Sequence, residues 1–202
     1  MDTGTEDDKL KLATLVGSRI CHDLISPIGA VQNGVELLEL SRSVDGPELE
    51  LIAESVRSAS TRARFFRIAY GGASVQMLGR GEVAGVIDDF NRTGRLKVDW
   101  GIETPQSRAL VRLSFLSLQC CEAAMPLGGT VQITVQEDRW QLVADSARLQ
   151  MDPHLWEDLM LMPDLENLQP AHVQFALLPM AANGMGRQVE VIRRDTGITL
   201  SF

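Results

Sequence analysis

Apolar residues recur every three to four positions from about residue 7 to 40 and again from about 47 to 70. At about 100° per residue, Val16, Ile20, Leu24, Pro27, Val31, Val35 and Leu38 fall within about 100° of one another. That is the stripe of an amphipathic helix. The turn-rich stretch from Ser41 to Pro47 interrupts it, and Pro47 suits the first turn of a second helix. In that helix Leu49, Ile52, Val56, Ala59, Ala63, Phe66 and Tyr70 alternate spacings of three and four, a heptad seam. A short connection predicts an antiparallel hairpin. Leu51, Phe65 and Ile68 widen its apolar surface beyond what two helices cover. A second copy of the chain would close a four-helix bundle, with Leu49, Ile52, Val56 and Phe66 at the interface. The alternative is that the second half of the same chain covers this face.

The texture changes after a glycine-rich stretch, Gly71 to Gly81, which reads as a linker. A helical run at about 82–92 precedes a short strand, Arg95 to Trp100, and an apolar helix at about 107–124. The segment from Thr130 to Gln136 alternates as a half-buried strand does. Glu137-Asp138 turns it back into Trp140–Ala144. Helical text resumes at about 152–161 and 170–182, and Gln188–Arg193 with Ile198–Phe202 forms a closing hairpin around Asp195-Thr196-Gly197. The fold class is α+β: a helical hairpin domain over 1–74 and an antiparallel-leaning sheet with helices on one face over 81–202.

The 202 residues are 45% apolar, enough for a buried core without staples. A net charge of −8 disfavours nucleic-acid and anionic-membrane partners. It leaves open a protein with a basic patch. No apolar run reaches membrane-span length, and the acidic start MDTGTEDDKLKL does not read as a signal peptide. Cys21, Cys120 and Cys121 form neither a CxxC nor a common zinc spacing. A cytoplasmic protein with no bound metal is the expectation.

His22 lies about 200° around the first helix from Ile20, facing away from the stripe. Its outer-face neighbours are Ser18, Ser26, Gly29, Asn33 and Glu36. An idle solvent face is usually filled with long charged side chains; this one is small near the histidine. Gly29 costs the helix about 1 kcal/mol relative to alanine, and Pro27 removes a hydrogen bond to the carbonyl of Asp23. A helix that accepts both beside one exposed imidazole is shaped for contact with another surface. The imidazole is nucleophilic near neutral pH.

The segment Cys21-His22-Asp23-Leu24-Ile25-Ser26-Pro27-Ile28-Gly29-Ala30 resembles the phosphoacceptor box of histidine kinases: a histidine, an acidic neighbour and a proline five positions on. With the continuation Val31-Gln32-Asn33-Gly34-Val35-Glu36-Leu37-Leu38 it is more similar to ChpT-type histidine phosphotransferases of alphaproteobacterial phosphorelays. The order of elements after Gly81 resembles a kinase ATPase domain by layout. The resemblance implies that His22 takes a phosphoryl group from the receiver domain of a hybrid histidine kinase and gives it to the receiver domain of a response regulator, with Mg²⁺ on the receiver. Asp23 would hold the other ring nitrogen, although neighbouring helical residues do not face each other; a solvated carboxylate is its alternative role. Arg19 would steer phosphate oxygens or be an ordinary exposed arginine. Ser18, Arg19, Ser26, Gly29 and Asn33 would form the docking face. His154 and His172 lack such a setting.

The same resemblance predicts a lost nucleotide site. A kinase ATPase domain needs an asparagine-rich helix, an Asp-x-Gly-x-Gly loop and a glycine-rich lid. Here the helix reads Leu116-Ser117-Leu118-Gln119-Cys120-Cys121-Glu122-Ala123-Ala124, without asparagine. Asp145 is followed by Ser146-Ala147-Arg148-Leu149, and Met162 to Asn167 contains no glycine. Gly184 and Gly186 read as a helix stop. The expectation is a dimeric phosphotransferase without ATP. A kinase with an unusual pocket and a regulator-binding module without chemistry are the alternatives.

Overall fold

The structure, a computed structural model, describes residues 3–41, 46–72, 74, 76–159 and 165–202. Helix α1 (Thr3–Ser41) runs unbroken through Pro27 for 39 residues, about 58 Å at 1.5 Å per residue. It begins earlier than its apolar stripe suggests. Helix α2 (Pro47–Ala69) starts on its proline and carries Glu48 and Glu50 in its first turn, where carboxylates favour the helix dipole. The predicted turn at 42–45 lies outside the described residues.

The hairpin closes on Gly34. It is buried, and a Cβ there would stand 2.5 Å from Ile52 Cγ1. Only glycine allows α1 this close to α2. Helix α1 outruns its partner, and its N-terminal part lies against the second half of the chain. There Leu12 joins Leu168, Val173 and Ala176, with Leu15 and Val16 beside them.

That second half contains β1 (Met77–Leu78), α3 (Arg80–Thr93), β2 (Leu96–Trp100), β3 (Gln106–Ser107), α4 (Arg108–Ala124), β4 (Gly129–Gln136) and β5 (Arg139–Asp145). Then come α5 (Pro153–Asp158), a 3-10 turn (Pro170–His172), α6 (Val173–Asn183), β6 (Glu190–Arg193) and β7 (Gly197–Ser201). The main sheet has the order β2-β4-β5-β7-β6; β2 and β4 are parallel and the other pairs antiparallel. Its inner face presents Val98, Val131, Ile133, Trp140, Leu142, Ile198 and Leu200 to one core. Helix α4 is the centre of that core, buried almost continuously from Val111 to Cys121. The Glu137-Asp138 turn puts both residues at positive φ, 47° and 68°, as a two-residue hairpin of this twist requires. Arg187 braces it, donating to the Asp138 carbonyl at 2.8 Å and to its carboxylate at 2.6 Å.

Two expectations change. The stretch from Gly71 to Gly81 is not all linker: Met77 and Leu78 pair with Ser107 and Gln106, and Leu78 is buried. The α2 seam serves two environments. Phe66, expected at an interface between copies, is only 6% exposed and sits in the chain's own core, stacked on Tyr70 at 5.3 Å. Phe65 packs on Phe90 and Phe115 at 5.2 and 4.7 Å. Arg108 and Arg112 of α4 donate to the carbonyls of Arg67 and Ala69 at 2.7 and 3.1 Å, satisfying acceptors that a helix end leaves open. Earlier in the seam Leu49 and Val56 remain 46% and 48% exposed, while Ile52 is half-buried against Gly34.

Candidate functional site

His22 projects from the middle of α1 with its side chain 86% exposed. Its Nδ1 lies 3.2 Å from Oδ1 of Asp23. The aspartate is no solvated carboxylate: its side chain is 11% exposed. Its other oxygen, Oδ2, accepts from Arg19 Nε at 2.9 Å and from Arg62 Nη1 of α2 at 3.2 Å. One carboxylate oxygen thus faces the imidazole and the other faces two guanidinium groups.

Arg19 departs from its expected role on the docking face. Its side chain is 14% exposed, engaged with Asp23, and its Nη1 donates to the carbonyl of Ala171 in the 3-10 turn. It is committed to internal contacts, with little surface left for a phosphate. Arg62 was not legible in the sequence as part of the site. It lies 39 residues from Asp23 along the chain, and only the antiparallel hairpin brings it across.

The remaining outer-face residues separate into two groups. Ser26 joins His22, Asp23 and Pro27 along one wall of a groove of about 400 Å³, whose other wall includes Leu51, Ser55 and Arg62 of α2. Ser18, Gly29 and Asn33 lie outside that groove on α1. Ser18 and Asn33 are exposed, and a Cβ on Gly29 would meet nothing within 4 Å. Behind Asp23 a small cavity of about 30 Å³ reaches Gln119 and Glu122 of α4. At its edge Tyr70 donates to Gln119 Oε1 at 3.0 Å, and burial pushes the Tyr70 phenol up to about 12.

The segment after β5 is occupied by the chain itself. Asp145 pairs with Arg194 at 3.3 Å. Ser146 donates to the Gly128 carbonyl at 2.7 Å, the Gln150 amide donates to the Ala124 carbonyl at 2.8 Å, and Leu149 and Met151 pack on the core. Of the predicted lid stretch, residues 162–164 lie outside the described residues. Burial raises the thiols of Cys120 and Cys121, the latter to about 12, so both behave as apolar core groups. Among the described residues no cluster of three or more His, Cys, Asp or Glu could hold a metal ion, and no helix is long and apolar enough to cross a membrane.

An exposed imidazole on a helical hairpin, beside an open groove rather than inside a closed pocket, suits a protein that exchanges a group with another macromolecule. Comparison with known proteins agrees. Residues 80–197 match the family model described as the histidine phosphotransferase C-terminal domain. The chain is 32% identical over 155 residues to the protein phosphotransferase ChpT of Brucella abortus (strain 2308), covering 73% of this chain and 74% of that one. A solved structure described as that of a bacterial phosphotransferase superposes with a TM-score of 0.80 at 30% identity, over 95% of each chain. This chain belongs to the ChpT-type histidine phosphotransferases, proteins of two-component phosphorelays.

Proposed function

We propose that His22 is the residue that carries the phosphoryl group, receiving it from the receiver-domain aspartate of a hybrid histidine kinase and delivering it to the receiver domain of a response regulator. The observation that carries this reading is the split environment of one imidazole: Nδ1 is against a largely enclosed carboxylate while the ring as a whole is open to solvent. With the Nδ1 proton donated to Asp23, the lone pair is on Nε2. That nitrogen attacks the phosphorus of the receiver's acyl phosphate. An N–P bond forms, the P–O bond to the receiver aspartate breaks, and the aspartate leaves as a carboxylate. The ring takes up positive charge, which Asp23 offsets without accepting the proton. Delivery reverses the same steps on a second receiver. Mg²⁺ belongs to the receiver in this scheme.

The groove beside His22, together with Ser18, Ser26, Gly29 and Asn33, forms the docking face. A receiver must lie flat there to bring its aspartate to the imidazole. The protein works as a cytoplasmic homodimer through the hairpin, supported by the apolar residues that α1 and α2 leave exposed, Ile25, Ile28, Val35, Leu49 and Val56. It uses no ATP. The missing glycines after Asp145 and the packing of Leu149 and Met151 support this, and titration with Mg²⁺-ATP should give no saturable heat at millimolar nucleotide. The deciding experiment is incubation with a phosphorylated receiver domain. Acid-labile phosphate should map to His22 and vanish in His22→Ala; phosphate persisting in that variant rules the reading out.

A further inference from the structure

We infer that Arg19 and Arg62 are positioning residues that pin Asp23 onto His22 Nδ1, and that Arg19 ties this arrangement to the C-terminal layer through the Ala171 carbonyl. The inference rests on His22 as the phosphoryl carrier and adds what sets its tautomer. Neighbours along a helix diverge by about 100°, so a carboxylate at position 23 does not face a ring at position 22 by default. An unheld aspartate beside an exposed imidazole would turn to water. Here the carboxylate is held from two directions. Arg19 reaches it from one turn earlier on α1 at 2.9 Å, and Arg62 reaches it from α2 at 3.2 Å. Both bind Oδ2, which leaves Oδ1 for His22.

The two arginines differ in what they need. Arg62 offers a single nitrogen to Asp23 and is half-exposed. Arg19 is more enclosed, with its side chain 14% exposed, and uses Nε for Asp23 and Nη1 for the Ala171 carbonyl, a two-point contact that only a guanidinium can make. Its second contact spans 152 residues, to the 3-10 turn that leads into α6. The seating of the C-terminal layer on α1 is therefore felt at the phosphoacceptor through one side chain. Two positive charges around one negative also leave a net positive charge behind Asp23, on the Nδ1 side of the ring.

The test reads His22 directly in the full-length protein. Nitrogen-15 NMR of the imidazole should report the Nδ1–H tautomer in the wild type. In Arg19→Ala/Arg62→Ala it should move toward Nε2–H, with transfer from a phosphorylated receiver slowed on the order of ten- to a hundredfold, by analogy with the loss of a partner that orients a metal-bound histidine. Arg62→Lys should stay near the wild type on both readouts, while Arg19→Lys should fail on both. Should the double variant not fold, Arg62→Ala alone must still shift the tautomer measurably. A wild-type tautomer and rate in the folded double variant, or equal tolerance of lysine at both positions, would overturn the clamp. Phosphate uptake by His22→Ala would instead overturn His22 as carrier, while the tautomer comparison would still decide the clamp.

Discussion

Two glycines five positions apart on α1 should respond to the same substitution with opposite signs. At Gly29 a Cβ meets nothing within 4 Å, so Gly29→Ala should gain the helix-propensity difference of about 0.8–1.0 kcal/mol. At Gly34 the same gain is set against a collision. The new Cβ would lie 2.5 Å from Ile52 Cγ1, 3.3 Å from its Cδ1 and 3.5 Å from the Glu48 carbonyl oxygen. The closest atom is near the stiff root of a β-branched side chain, so relief requires a rotamer change or separation of the helices. Overpacking of this kind costs about 1–3 kcal/mol. Gly34→Ala should therefore be about 0–2 kcal/mol less stable than the wild type, and the two variants should differ by about 1–3 kcal/mol. For a chain of this length that separates their melting temperatures by about 2–12 °C. Calorimetry at one fixed protein concentration measures it, since the proposed dimerisation would make the midpoint concentration-dependent. If Gly34→Ala melts at or above Gly29→Ala, the close approach of α1 and α2 is not the reason for glycine at 34.

Gly29→Arg should keep the wild-type melting temperature or raise it slightly while slowing both receipt and donation of phosphate, because a misplacement of about 1 Å can cost on the order of a hundredfold in rate; wild-type transfer rates would put the docking face elsewhere on the hairpin. Val56→Glu should lower the apparent mass in light scattering from dimer toward monomer at micromolar concentration, with little loss of helix, since Val56 is exposed within one chain; an unchanged dimer would exclude this face. His172 has its pKa lowered by burial and then by nearby Arg19, against a smaller opposing effect of Asp152. Its contribution to stability is present above the unfolded value of about 6.5 and is lost as the pH falls below it through the folded value. Melting temperatures between pH 7 and 5 should fall less steeply in His172→Gln than in the wild type; parallel curves would refute this.

The helices and the main sheet were legible because their periodicities are long. The stripe on α1 and the alternation in β4 and β5 each extend over enough residues to exclude the other period. The pair Met77–Leu78 with Gln106–Ser107 was not, because two residues per strand carry no period. The α2 seam shows a different limit. Its heptad pattern runs evenly from Leu49 to Tyr70, yet one end is closed by the chain's own α4 and the other is open. Hydropathy marks a face as apolar without naming what covers it. At the site, the exposed setting of His22 was legible from its outward angle. Arg62 was missed because its link to Asp23 depends on how the hairpin aligns, and Arg19 was misassigned because its partner Ala171 is a backbone carbonyl 152 residues away, invisible to any side-chain motif.

The single open nitrogen of His22 has a kinetic consequence. On the mechanism proposed above, donor and acceptor must use the same atom and the same face of α1, so they visit in turn and never together. Such a carrier obeys double-displacement kinetics, with parallel lines in reciprocal plots. An excess of unphosphorylated acceptor then occupies the uncharged carrier and blocks its reloading. Relay throughput would therefore peak at an intermediate acceptor concentration and decline beyond it, a ceiling set by one imidazole having one available side.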